Sequence, residues 1–218
     1  MKESVHPLAW FIAAAVRAVT GVKVRWQGCA PDDRQRIYFA NHSSHLDFVV
    51  LWSALPPQVR AKTRPVAAKD YWQSGWKWYL ALRVFRAVLV ERHAARHNAE
   101  QGQAHAARFE TIDHLAQALG DRDSLIFFPE GTRGHGEQVA EFKSGLYHLA
   151  KRRPDVELIP AYLENLNRIL PKGEFLMVPL LSTLAFGAPI RLKEGESKVD
   201  FLERARAALC ALRREGSV

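Results

Sequence analysis

Three runs in this chain are apolar almost without interruption: Arg36–Ala40 (RIYFA), Ser124–Phe128 (SLIFF) and Glu157–Leu163 (ELIPAYL). A strand with one face in water alternates apolar and polar positions. A strand that is apolar throughout is covered on both faces, as the strands of a parallel sheet are. Pro65–Ala68, Val88–Val90 and Phe175–Val178 also read as short strands. Between them, Phe109, Ile112, Ala116 and Leu119 step at helical spacing, as do Leu202, Ala205, Leu209 and Leu212 near the end. Strands alternating with helices predict an α/β fold, a mixed and mostly parallel sheet flanked by helices. A length of 218 residues suits one domain of moderate size and would cramp a second. There is no internal repeat and no Gly/Ser linker. Pro- and Gly-bearing loops fall at 56–57, 129–136, 171–173 and 195. In α/β folds the active site sits in loops beyond strand ends, and the two most unusual loops here each follow a buried strand.

The chain carries 31 Lys and Arg against 23 Asp and Glu, a formal charge of +8, which points to an anionic partner. Nucleic acid, an anionic membrane leaflet and a phosphorylated substrate all answer that description. The cations are spread without a recognisable nucleic-acid motif, so nucleic acid is not expected. Cys29 and Cys210, far apart in sequence, make neither a disulfide framework nor a cysteine zinc site, which fits a reducing compartment. The apolar run Leu8–Val16 falls short of the roughly 20 residues that a spanning helix needs. With Trp10 and Phe11 on it, and Lys2, Arg17, Lys23 and Arg25 around it, it suits a bilayer interface; a helix buried in the core is the alternative. A cleaved signal peptide fits less well, because Glu3 dilutes the basic start and Arg17 stands where a small residue is expected. Tyr71, Trp72, Trp76, Trp78 and Tyr79, followed by Arg83 and Arg86, repeat the pairing of aromatic rings with cations that headgroup depth favours, although core burial is open to each ring. The expected organisation is an amphipathic, membrane-contacting helical segment over residues 1–25 and one domain over 26–218.

Asn41-His42-Ser43-Ser44-His45-Leu46-Asp47 follows the first buried strand and precedes the apolar helical stretch Phe48–Leu55. On one continuous helix, residues five apart differ by about 140° in azimuth, so His42 and Asp47 would not face each other. With His42 in the turn before the helix and Asp47 in its first turn, the chain can fold back. Asp47 would then fix the imidazole tautomer, leaving the other ring nitrogen as a base for a hydroxyl. The competing local reading is a capping box, with Ser44 as cap and Asp47 answering from the third position. No full metal-ligand set accompanies His42 and His45, and His93/His97 lacks the flanking Glu of a metalloprotease helix, so no metal is expected.

Phe128-Pro129-Glu130-Gly131-Thr132-Arg133 follows the second buried strand, with Gly134 and Gly136 beyond it. Glycines let backbone N–H groups converge on an anion, Thr132 adds a hydroxyl, and Arg133 supplies a forked cation suited to phosphate. Glu130 is expected to hold Arg133 or a substrate hydroxyl. The plain alternative is a surface turn with a solvated charge pair. Lys143, in Phe142-Lys143-Ser144-Gly145, stands at a helix start, where a cation is poorly placed for the dipole and better explained by an anionic ligand. Arg92 would be a further cation at a strand end.

The order and spacing of these motifs resemble the four blocks of the glycerolipid acyltransferases, whose best-known members are the lysophosphatidate (1-acylglycerol-3-phosphate) acyltransferases. The blocks are Asn41-His42-x4-Asp47, a strand ending in Arg92, Pro129-Glu130-Gly131-Thr132-Arg133, and Pro160 in Leu158-Ile159-Pro160-Ala161. The likeness runs from about residue 36 to residue 165. Phe142-Lys143-Ser144-Gly145 is similar to the lysine segment that the family carries after its third block. In the second block, Arg86 and Leu89 stand where the family usually has Gly and Phe. The N-terminal hydrophobic section is short beside members with clear membrane spans.

The resemblance implies that His42 is a general base oriented by Asp47. It also implies that Glu130, Gly131, Thr132 and Arg133 shape the acceptor site, with Arg133 and Arg92 on a phosphate. It further implies membrane-associated phospholipid synthesis at the cytoplasmic face of the cell membrane, peripheral or monotopic. The co-substrate would be acyl-CoA or acyl-carrier protein, with no further cofactor, and the acceptor a lysophospholipid. No Gly-x-Ser-x-Gly elbow occurs in the chain, which speaks against a serine hydrolase. The competing class is a non-catalytic basic module binding a membrane surface, which accounts for the charge and leaves both loops without a purpose. Within the enzyme class, glycerol-3-phosphate or a non-phosphate lipid alcohol are the alternative acceptors.

Overall fold

The computed structural model of the chain describes residues 7–44, 46–72, 75–91, 101–134, 138–164 and 182–213. In chain order the elements are α1 (Pro7–Thr20), β1 (Lys23–Trp26), β2 (Arg36–Ala40), α2 (Asp47–Ala54), α3 (Pro57–Ala61), β3 (Thr63–Ala68), a 3-10 turn (Lys69–Tyr71), and α4 (Gly75–Tyr79) running into a π-turn (Leu80–Val84). There follow β4 (Val88–Val90), α5 (Gln101–Leu119), β5 (Ser124–Phe127), α6 (Gly145–Arg152), β6 (Glu157–Glu164), β7 (Thr183–Phe186) and α7 (Lys198–Cys210).

The strands form one seven-stranded sheet in the order β1-β7-β6-β2-β5-β3-β4. Every neighbouring pair is parallel except β6 with β7. The three apolar runs are the centre of that sheet: Phe39 on β2 lies opposite Phe127 on β5 and Pro160 on β6. All five residues of β2 are buried, as continuous apolarity requires of a strand covered on both faces. Tyr38, Ala40, Ile126, Ile159 and Ala161 turn to one layer, with α1, α2 and the aromatic rings that follow β3. Ile37, Phe39, Leu125 and Leu158 turn to the other, under α5, α6 and α7. The result is the expected single α/β domain with helices on both faces of the sheet.

The structure departs from the expectation at several places. Two strands are unexpected: β1 lies at the sheet edge and takes the last residues of the segment read as helical, and β7 lies between β1 and β6. The expected strand Phe175–Val178 and the loop at 171–173 lie outside the described residues. So do His45, Arg92, His93 and His97.

Arg17, counted above among interfacial cations, caps α2 instead. Its guanidinium donates to the carbonyls of Ser53 (2.7 Å) and Ala54 (3.1 Å), where a cation complements the helix dipole. The aromatic segment divides in two. Trp72 is buried against Phe48 and Phe85, while Trp76 and Trp78 are 69% and 50% exposed. On α1, Ala9 and Ala13 are buried while Trp10 and Phe11 are 60% and 63% exposed. Among the described residues no helix is long and apolar enough to cross a membrane.

Arg86 stands where the resembled family usually has Gly, and the backbone supplies the reason: its φ is +51°, a region that costs a side-chain-bearing residue about 1–2 kcal/mol. The guanidinium offsets that strain by donating to the Ala61 carbonyl (2.9 Å) and the Asp123 carboxylate (3.0 Å).

Candidate active site

The carboxyl ends of β2, β5 and β6 lie side by side, and the two unusual loops leave from the first two of them. Asn41, the residue after β2, clamps this end. Its amide donates to the Leu163 carbonyl and accepts from the Leu163 N–H, both at 2.8 Å, extending the β2–β6 pairing by side chain.

The next residue is His42, and the chain folds back as the spacing allowed. Its Nδ1 lies 2.8 Å from Asp47 Oδ2. The same oxygen accepts the N–H groups of Ser43 (2.6 Å) and Ser44 (2.8 Å). Asp47 is fully buried; three donors converge on Oδ2 and offset part of the lost hydration, while Oδ1 is buried without a hydrogen-bond partner among the described residues. A carboxylate only accepts, so Nδ1 must carry the proton, and Nε2 is left with a lone pair. The capping-box reading is half realised. Asp47 returns to the Ser44 N–H, but the Ser44 hydroxyl takes the N–H of Leu46 (3.3 Å), and Leu46, not Ser44, is the N-cap. Phe128 stacks on the imidazole with centroids 4.4 Å apart, and the ring is 16% exposed.

Glu130 does something the sequence did not reveal. It is expected to hold Arg133 or a substrate hydroxyl; instead its buried carboxylate grips main chain. Oε1 accepts the His42 N–H (2.7 Å) and Oε2 the Ala140 N–H (2.9 Å). The Gly134 N–H, four residues on, donates to the His42 carbonyl (2.8 Å). His42 is thus held at ring, amide and carbonyl. Burial pushes the Glu130 carboxyl above the usual carboxylate range, and the N–H bonds from Ala140 and His42 pull it back.

Gly131 sits at φ +69°, and a side chain there would strike the Lys143 methylenes and ammonium at 3.0 Å, so the lysine lies across the loop. Thr132 and Lys143 are exposed and Arg133 is half-buried. Among the described residues neither Arg133 nor the Lys143 ammonium is paired with a carboxylate, and the ammonium lies over Gly131 of the loop. A shallow cavity of about 210 Å³, counting its open mouth, is lined by Asn41, His42, Ser43, Glu130, Gln138, Val139 and Tyr162. Gln138, Val139 and Tyr162 escaped the sequence reading. Tyr162 was legible in retrospect, two residues beyond Pro160 and therefore on the same side of β6. Burial raises its phenol, which keeps the hydroxyl protonated as a donor. Among the described residues no group of three His, Cys, Asp or Glu side chains is placed to hold a metal ion.

An imidazole oriented by a buried carboxylate and lining an open cavity can draw a proton from a hydroxyl. Comparison with known proteins leads the same way. A 1-acyl-sn-glycerol-3-phosphate acyltransferase of Limnanthes douglasii is 26% identical over 181 residues, covering 82% of this chain and 58% of the plant protein. One from Escherichia coli is 28% identical over 145 residues, 61% of this chain and 51% of its own length. The chain therefore spans little more than half the length of these relatives. The crystal structure of the 1-acyl-sn-glycerophosphate (LPA) acyltransferase PlsC from Thermotoga maritima superposes with a TM-score of 0.69 over 94% of this chain and 77% of that one; at 20% identity it shows a shared fold. The family model described as Acyltransferase matches residues 21–164, which include both loops and all three central strands, and the chain belongs to that family.

Proposed function

We propose that this protein transfers a fatty acyl group from an acyl thioester to the free hydroxyl of lysophosphatidate or a closely related lysophospholipid. The 2.8 Å contact between His42 Nδ1 and Asp47 Oδ2, with His42 lining an open cavity, carries the reading. His42 Nε2 takes the hydroxyl proton as the oxygen attacks the thioester carbonyl. The tetrahedral adduct then expels the thiolate, which leaves with the proton from the imidazolium, so no acyl-enzyme is formed. A thioester is already activated, and general-base help of about 100- to 10,000-fold suffices once the substrates are aligned. Asp47, hydrogen-bonded to Nδ1, faces the positive charge of the imidazolium that forms in passing. Arg133 and Lys143 are suited to the acceptor's phosphate.

The exposed Trp10 and Phe11 on α1 and Trp76, Trp78 and Tyr79 on α4, on a chain of charge +8, suit a peripheral or monotopic position on the anionic cytoplasmic leaflet. A thiol-release assay with long-chain acyl-CoA or acyl-carrier protein, run against a panel of acceptors, tests the reading. Release that depends on lysophosphatidate is expected, and release indifferent to every lipid alcohol offered, or none, would remove it. Salt-sensitive binding to vesicles without any release would instead favour the non-catalytic module.

A further inference from the structure

We propose that Arg206, on the C-terminal helix α7 and outside the residues that match the family, is a positioning residue for His42, acting through the Val139–Ala140 peptide and Glu130. The inference rests on the acyl-transfer reading only for its catalytic consequence. Arg206 Nε donates to the Val139 carbonyl at 3.0 Å and one terminal nitrogen to the same oxygen at 2.6 Å, with a longer contact to the Ala140 carbonyl at 3.2 Å. The Val139 carbonyl and the Ala140 N–H belong to one peptide plane, and that N–H is the one Glu130 Oε2 accepts. A guanidinium therefore sits on the negative end of a peptide dipole and a buried carboxylate on its positive end. Each charge strengthens the other's hydrogen bond through the amide. The carboxylate's second oxygen then holds the His42 N–H.

The segment that carries this peptide is a loop without helix or strand pairing, so its place depends on what grips it. Arg206 can grip it because α7 is itself anchored: Phe201, Ala205 and Leu209 are buried against the sheet. The fork matters, since two nitrogens of Arg206 meet one carbonyl oxygen and a lysine ammonium could not reproduce the pair. The helix thereby sets the place of the base through the loop it grips.

Three variants of the full chain decide the matter: Arg206→Ala, Arg206→Lys and, as a control on the same helix, Arg204→Ala, whose guanidinium holds Glu196 instead. Arg206→Ala should lower kcat roughly 10- to 100-fold, as displacement of a catalytic group by a fraction of an ångström does, with donor and acceptor KM near wild type. Arg206→Lys should fall between, and Arg204→Ala should keep kcat. Combining Arg206→Ala with Glu130→Gln should cost no more turnover than the more damaging of the two alone, because both act on one chain of contacts. Hydrogen exchange at the His42 and Ala140 amides gives a reading without turnover: faster in Arg206→Ala, unchanged in Arg204→Ala. Wild-type exchange and kcat in Arg206→Ala, or an equal loss in the Arg204 control, would overturn the proposal. A wild-type protein with no acyl transfer, but with exchange responding as stated, would sink the functional reading and keep the brace.

Discussion

β2 carries a buried polar cluster at each end, and the two are built on opposite principles. At its amino end Arg36 is 1% exposed and lies against a carboxylate: Nε meets Glu157 at 3.2 Å, one terminal nitrogen donates to the Ala30 carbonyl, and the Arg36 N–H goes to the Ser124 hydroxyl. Charge there is answered by charge. At its carboxyl end, two buried carboxylates, Asp47 and Glu130, accept main-chain N–H groups and one imidazole, and among the described residues neither has an arginine or lysine as a hydrogen-bond partner. That end is unbalanced in charge, Asp47 Oδ1 is buried without a hydrogen-bond partner among the described residues, and one ring nitrogen is left over. An ion pair at the amino end makes a stable and inert strand start; dipoles at the carboxyl end leave room for a proton to arrive.

The contrast breaks most visibly at the histidine. His42→Ala should lower acyl transfer by about 100- to 10,000-fold with the fold intact, measured by thiol release beside circular dichroism. Near-wild-type turnover would make the carboxyl end as inert as the other. The amino end should respond in the reverse manner. Glu157→Leu removes the carboxylate hydrogen-bonded to buried Arg36, leaving only Asp32 at 3.7 Å, and should cost about 3 kcal/mol in urea unfolding, while turnover per folded molecule is unchanged. Arg133→Gln probes the unpaired rim. Loss of a charged hydrogen bond worth about 1.5–3 kcal/mol should raise the KM for a phosphate-bearing acceptor roughly 10- to 100-fold at nearly constant kcat. An unchanged KM would move the phosphate site elsewhere.

The smallest effect concerns pH, where the two modes of compensation carry opposite signs. Glu196, hydrogen-bonded by Arg204, is held down to about 2 from its ordinary 4.5. Its contribution to stability is present above 4.5 and lost as pH falls through about 2, so Glu196→Gln should flatten the acid side of a thermal-unfolding profile. Glu130, raised by burial, contributes in the other direction: relative stability is greatest below 4.5 and declines as pH rises through its folded value. An acid profile identical in wild type and Glu196→Gln would mean that the Arg204 pair is matched in the unfolded chain.

The central strands and both loops were readable because their signals are local. Unbroken apolarity marks a doubly covered strand, and the His42-to-Asp47 spacing permits only a folded-back turn if the two groups are to meet. β1 was not readable, since a short edge strand is decided by the neighbour it pairs with and not by its own composition. The same applies to Arg17, whose partners lie 36 to 38 residues away, and to Trp72 against Trp76, neighbours in sequence with opposite fates.

Residue order alone determined the α/β class, the two loops of the candidate site after two buried strands, and the kinds of group present there. Tertiary structure decided what each group does. Glu130 reads as a ligand for Arg133 or a substrate hydroxyl until the fold carries the His42 and Ala140 amides to it, and Arg206 meets its partners only because α7 lays it against a loop 66 residues away. Hydrogen bonds reach only about 3 Å, so a polar side chain's role is set by what the rest of the chain brings within that distance.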